Sequence, residues 1–270
     1  MAPRSERFRA PPDGDVTLHA LHHGEPGRPL LVLLHGGGAN AHWWDHVASD
    51  LAERFHGVAL DFRGHGDSEW PERIEAGAFG RDLEALLAHL GRRDAVLVGH
   101  SMGGHVALEH ASRHPETRAV CALDVARGGS PRDRRRVRLA LAGRRSYASR
   151  EDAVARYRFL PPAPEAPEAL RRSIAERSVR REDDGRFAFK FDARWFGLPP
   201  GPPIALEKVS CPVLVVRGEK SDLLSEAGAA ELVARLPDAR ALTIEGAGHN
   251  VHLERAPQVV SALREFLAGV

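Results

Sequence analysis

Ala95-Val96-Leu97-Val98-Gly99-His100-Ser101-Met102-Gly103-Gly104 is the stretch that decides the fold. Four apolar residues too few for a helix run into Gly-x-Ser-x-Gly, and a helical pattern from Met102 to Ser112 follows at once. A serine between a buried strand and a helix must make a sharp turn. Glycines two residues before and after it leave room where a Cβ would strike neighbouring backbone. Such a turn lifts the hydroxyl clear of the sheet and sets a helix N-terminus beneath it. Ser101 is therefore the candidate nucleophile, and the Met102 amide a candidate donor to an oxyanion.

The same grammar repeats on both sides. Leu30–Leu34 is a continuous apolar run suited to a strand covered on both faces, and Val58–Leu60, Val120–Val125, Val213–Val216 and Ala241–Ile244 read likewise. Helical spacing appears over Trp43–Phe55, Phe79–Leu90, Ala227–Leu236 and Val259–Leu267. Val16–His22 alternates and suits an antiparallel edge hairpin. Strand–helix alternation predicts an α/β fold with a mostly parallel sheet and helices on both faces. The alternation breaks between Arg127 and Ile204, an Arg- and Pro-rich stretch with helical pieces near 150–159 and 165–180. It reads as an insertion over the carboxyl edge of the sheet. The expected organisation is a core of residues 1–126 and 206–270 with a cap over 127–205.

Three loops at strand ends supply further candidates. His35-Gly36-Gly37-Gly38 follows the Leu30–Leu34 strand, and the Gly37 amide is a candidate second oxyanion donor. Gly246-Ala247-Gly248-His249-Asn250 follows a late strand, which makes His249 the candidate general base ahead of His252. Gly218-Glu219-Lys220-Ser221-Asp222 offers Asp222 as the acid that orients the imidazole, with Glu219 in the same loop and Asp124 at the preceding strand end as alternatives. The order Ser101, Asp222, His249 is the Ser…Asp…His order of a known hydrolase fold.

With these loops in view the chain resembles the α/β-hydrolase superfamily over nearly its whole length. The resemblance rests on His35-Gly36, Asp61-Phe62-Arg63-Gly64-His65-Gly66-Asp67-Ser68, the Ser101 turn, Gly218–Asp222 and Gly248-His249. It implies an eight-stranded sheet, a mainly helical cap after the sixth strand, and a structural role for Asp61 and Arg63. It implies a serine esterase or lactonase acting through an acyl-enzyme. Thioesterase, amidase, perhydrolase and C–C bond hydrolase chemistry, or a ligand receptor without turnover, are the alternatives. A serine nucleophile weighs against the haloalkane dehalogenases and epoxide hydrolases, which use a carboxylate. Asp222 lies one residue further from Gly218 than the commoner Gly-x-x-Asp spacing, which keeps Asp124 in contention.

Composition narrows the partners. In 270 residues, 38 Lys and Arg face 37 Asp and Glu, for a net charge of +1, which argues against a dedicated nucleic-acid binder. No apolar run is long enough to span a membrane. Cys121 and Cys211 alone make no disulfide framework, and a cytoplasmic location is expected. Eleven Arg against three acids between Arg127 and Arg158 put about +8 on that window and about −7 on the remainder. This suits a solvated cap face, with steering of anionic substrates as the other reading. Two opposite charges of that size could help seat the cap over Ser101. No cofactor and no metal are expected: His19, His22, His23, His42 and His46 read as surface histidines. The expected ligand is a small, apolar ester or lactone, and the chain a monomer or homodimer. Trp43 and Trp44 are candidate pocket residues, and Tyr157, Phe159, Trp195 and Phe196 could roof a substrate or anchor the cap.

Overall fold

The computed structural model describes residues 2–10, 16–73, 75–125, 146–197 and 203–270. Ten strands are described: β1 (Arg4–Arg9), β2 (Thr17–His23), β3 (Leu30–Leu34), β4 (His56–Asp61), β5 (Val96–His100), β6 (Ala119–Leu123), β7 (Val179–Arg181), β8 (Phe187–Phe189), β9 (Val213–Gly218) and β10 (Ala239–Ile244). Eight form one sheet in the order β1-β2-β4-β3-β5-β6-β9-β10. β1–β2 and β2–β4 pair antiparallel and the rest parallel. The central strands β3, β5 and β6 are buried at every residue, as their unbroken apolar runs require. Each buried Leu or Val there contributes about 1.5–3 kcal/mol from apolar burial.

The described α-helices are α1 (Asp45–Leu51), α2 (Ala78–His89), α3 (Met102–Ala111), α4 (Arg150–Ala155), α5 (Glu168–Arg177), α6 (Glu226–Ala234), α7 (Val251–Glu254) and α8 (Ala256–Phe266). Two apolar clusters lie on opposite sides of the sheet. One holds Leu83, Leu86, Val106 and Leu232, and the other Trp44, Val47, Val259 and Leu263. A third joins Trp43 and Leu253 to Tyr157 and Ile174 of the segment between β6 and β9.

Between β6 and β9 the described residues hold α4, α5 and the small β7–β8 sheet. Polar bonds stitch this region to the body. The Gly66 amide donates to the Lys190 carbonyl (2.8 Å), Asp192 N to Gly64 O (2.7 Å), and Asn40 Nδ2 to Ser178 Oγ (2.8 Å). The arginine run 132–138, and with it most of the charge asymmetry, lies outside the described residues, as does the side chain of Phe196.

Several expectations change. Trp44 is fully buried in the core against His252, ring centroids 4.6 Å apart, so it is not a pocket residue. Trp43 packs against the segment between β6 and β9, 5.1 Å from the Phe159 ring. His19, His22 and His23 are buried rather than on the surface, each packed beside a carboxylate: Asp61, Glu6 and Asp45 respectively. His19 Nδ1 pairs with Asp61 Oδ2 at 2.7 Å.

Candidate active site

Ser101 sits between β5 and α3 with φ 51° and ψ −114°, a left-handed conformation rare for a side-chain-bearing residue. The turn has no room to relax. A Cβ on Gly99 would lie 2.3 Å from Gly103 O, and one on Gly103 would lie 2.3 Å from Leu34 O. The Ser101 amide donates to Leu123 O (2.9 Å), tying the turn to β6. Met102 opens α3, so its amide belongs to the unsatisfied first turn.

The glycine loop after β3 abuts this turn. A Cβ on Gly36 would meet His100 Nδ1 at 2.8 Å and Ser101 Cβ at 3.4 Å. His35 Nδ1 donates to Gly36 O (2.7 Å) while its Nε2 accepts from Phe62 N (3.2 Å), which fixes one neutral tautomer. Burial pushes the His35 pKa down in agreement. Above Gly37 stands Trp195: a Cβ on that glycine would fall 2.0 Å from the indole Cη2. Trp195 also borders His65, with centroids 5.7 Å apart.

His249 reaches the same place from the loop after β10. Its carbonyl accepts from His100 Nε2 (3.0 Å), and the two rings lie 4.6 Å apart. His249 Nδ1 donates to Asp124 Oδ1 at 2.7 Å, with Asp124 fully buried and the imidazole nearly so. Asp124 also accepts from Ser221 Oγ (2.6 Å) and Gly218 N (2.8 Å). Its own backbone is left-handed, at φ 46°. Asp222 is exposed, and the carboxylate facing His249 is that of Asp124. This corrects the first choice of acid and brings forward the alternative. The residue three after Gly218 is Ser221, and its hydroxyl braces the acid that β6 supplies. Glu219 accepts from Gly246 N (2.8 Å) and so supports the histidine loop.

Two supporting residues were not singled out as such in the sequence. His100 donates through Nε2, so its buried Nδ1 carries no proton. Burial, then the neighbouring His249, holds its pKa well below the usual value. His252 is likewise held well below by burial and by His100, and lies 4.5 Å from the His100 ring. The only signals for either in the sequence were their positions next to Ser101 and three after His249. His252 is in α7 and is not the residue paired with the acid.

A sheet of this order with a strained serine after β5, a histidine after β10 and a carboxylate after β6 defines a hydrolase of the α/β class. The chain belongs to the alpha/beta hydrolase family, whose model matches residues 31–263. It is 31% identical to a 2-(acetamidomethylene)succinate hydrolase of Mesorhizobium japonicum, covering 94% of this chain and 92% of that one. It is 30% identical to an esterase of Mycobacterium tuberculosis, over 88% of this chain and 83% of the esterase. An epoxide hydrolase of the same organism is 29% identical over 94% and 95%. The crystal structure of E-2-(acetamidomethylene)succinate hydrolase superposes with a TM-score of 0.83 at 27% identity, over 98% of this chain and 99% of that one. No helix among the described residues is long and apolar enough to cross a membrane.

Proposed function

We propose that the protein hydrolyses carboxylic esters, lactones included, of small apolar molecules through Ser101, His249 and Asp124. The observation that carries this reading is the 2.7 Å pair of His249 Nδ1 with buried Asp124 beside the strained Ser101 turn. Asp124 holds the imidazole in the tautomer whose Nε2 is free to accept a proton. His249 takes the Ser101 proton as Oγ attacks the acyl carbon. The amides of Met102 and Gly37 receive the oxyanion. His249 then protonates the departing alcohol and next deprotonates the water that releases the acid. Each oxyanion donor is worth about 3–4 kcal/mol in the transition state. Trp195 over Gly37 limits the size of groups beside that donor.

Similarity to an esterase supports the ester reading. Similarity to a hydrolase of 2-(acetamidomethylene)succinate favours, as a second reading, an acylated amine as the bond cleaved. Ser101 at the turn supports an acyl-enzyme over the epoxide route, because a serine oxygen that opened an epoxide would be left as an ether, which water does not cleave as it cleaves an acyl ester. The experiment is labelling with a fluorophosphonate, with turnover of a p-nitrophenyl ester series and of matched anilides. Ser101→Ala is expected to lose both labelling and turnover. Full esterase activity in Ser101→Ala would overturn the proposal, and labelling without turnover would make the protein a receptor.

A further inference from the structure

α2 and α3 lie side by side on one face of the sheet, and at the end of α3 away from Ser101 they bring three ligating side chains together. One ring nitrogen each of His110 and His114 and one carboxylate oxygen of Glu84 lie within 4.8 Å of one another. The two histidines are one helical turn apart, with rings stacked at 4.1 Å and 15°. Glu84 comes from α2, its Oε1 3.6 Å from His114 Nε2. On the other side, Glu116 Oε1 lies 3.5 Å from His114 Nδ1. His110 is 6% exposed, and its Nδ1 has no hydrogen-bond partner. A buried imidazole nitrogen without a partner costs about 1–3 kcal/mol. Arg113, in the turn that follows α3, is engaged by Glu109 at 2.5 Å.

We propose that Glu84, His110 and His114 form a site for one divalent transition-metal ion of the zinc type, with water completing the coordination. Two imidazoles and one carboxylate are a ligand set that such ions favour. Metal bonds of about 2.0–2.2 Å require the three ligand atoms to draw closer than they stand. Glu84 and His114, both partly exposed, can move to supply that change. Glu116 then accepts from His114 Nδ1–H and fixes the tautomer that presents Nε2, as carboxylates do behind metal-bound histidines. His110 is buried with its Nδ1 unpartnered, which leaves a ring nitrogen open to metal. His110 lies nine positions beyond Ser101 along α3, about 14 Å along the axis. An ion there does not touch substrate. It ties α2 to the helix whose first turn carries the nucleophile.

Cobalt titration of the full chain tests the site, because four- or five-coordinate Co(II) absorbs in the visible through d–d bands. One equivalent is expected to develop the band. Its affinity is expected to fall at least about 10-fold in His114→Ala and in Glu84→Ala, both at partly exposed positions, and to hold in His249→Ala. Zinc at about 100 times its Kd is expected to raise Tm by roughly 5–10 °C in the parent and not in His114→Ala. No band up to millimolar cobalt, or a band that survives His114→Ala, would overturn the proposal.

Discussion

Asp124 follows β6 and Asp222 lies in the loop after β9, and these strands are parallel neighbours, so both carboxylates start from one edge of the sheet. The spacing of residues could not separate them, because the choice depends on which way a short loop turns. The extra residue after Gly218 is the trace that was legible: Ser221 takes the near position and points at Asp124, and Asp222 is left in solvent. Asp124→Asn is expected to lower kcat by about 10³–10⁴-fold, since the amide cannot enforce the same tautomer. Asp222→Asn is expected to stay within about twofold. Equal losses in the two variants would return the acid to the loop after β9. The places of the candidates Ser101, His249, Gly37 and Met102 at strand ends were legible because glycines mark each loop. Trp195 was legible only as an aromatic, since its place over Gly37 depends on how the cap returns to the body. Gly37→Ala is expected to cost at least about 10-fold in kcat/KM, because its Cβ lies 2.0 Å from that ring. Adding Trp195→Ala is expected to recover part of the loss, and a double-mutant cycle measures how much is steric. Strict additivity would show that the ring and the glycine do not interact.

At the scale of elements, the buried parallel strands were legible because their apolar runs exceed what an exposed loop tolerates. β3 and its reading agree at both ends, Leu30–Leu34. β1 was not read as a strand of its own. Its sequence Arg-Ser-Glu-Arg-Phe-Arg buries only Phe8, and its pairing with β2 rests on backbone hydrogen bonds that periodicity does not report. β7 and β8 are three residues each, too short for an alternating pattern to declare itself. The contact between β3 and α3 is closer than either element's own geometry demands. It exists because Gly103 has no side chain, and a Cβ there would strike Leu34 O at 2.3 Å. Gly103→Ala is expected to destabilise the fold by about 2 kcal/mol or more by forcing these elements apart. Gly80, in α2, has nothing within 4 Å of an added Cβ. Gly80→Ala is expected to stabilise by about 0.5–1 kcal/mol through helix propensity. Urea denaturation of both variants checks the pair. A neutral Gly103→Ala would mean the turn at Ser101 tolerates displacement.

The whole molecule carries an unusual load of buried imidazole, which sets how it responds to acid. His35, His65, His100 and His252 are each at most 2% exposed. Burial is the first cause of a lowered pKa in all four, reaching about 3 for His65 and well below the usual value for His100 and His252. In the unfolded chain these groups titrate near 6.5. Above that pH both states are neutral and the groups are silent. Below it the unfolded chain takes up protons that the folded one refuses, so stability is lost as pH falls. Each group contributes a slope approaching about 1.4 kcal/mol per pH unit until its folded pKa is reached. Carboxylates act later. Burial works to raise the Asp45 pKa, but hydrogen bonds from His23 and His42 prevail and bring it to about 2, so its stabilising charge is lost only below the ordinary carboxylate range. The segment between β6 and β9 shares this fate, because it is bonded to the loop that holds His65 through the Gly64 carbonyl and Gly66 amide. The unfolding free energy read from urea denaturation is therefore expected to fall steeply from pH 6.5 to pH 5, by several kcal/mol against a typical total of about 5–15 kcal/mol, and the urea midpoint with it. Activity is expected to fall in the same interval if that segment loosens with the loop. A midpoint that holds level from pH 7 to pH 5 would mean these histidines find protons or water inside the folded protein.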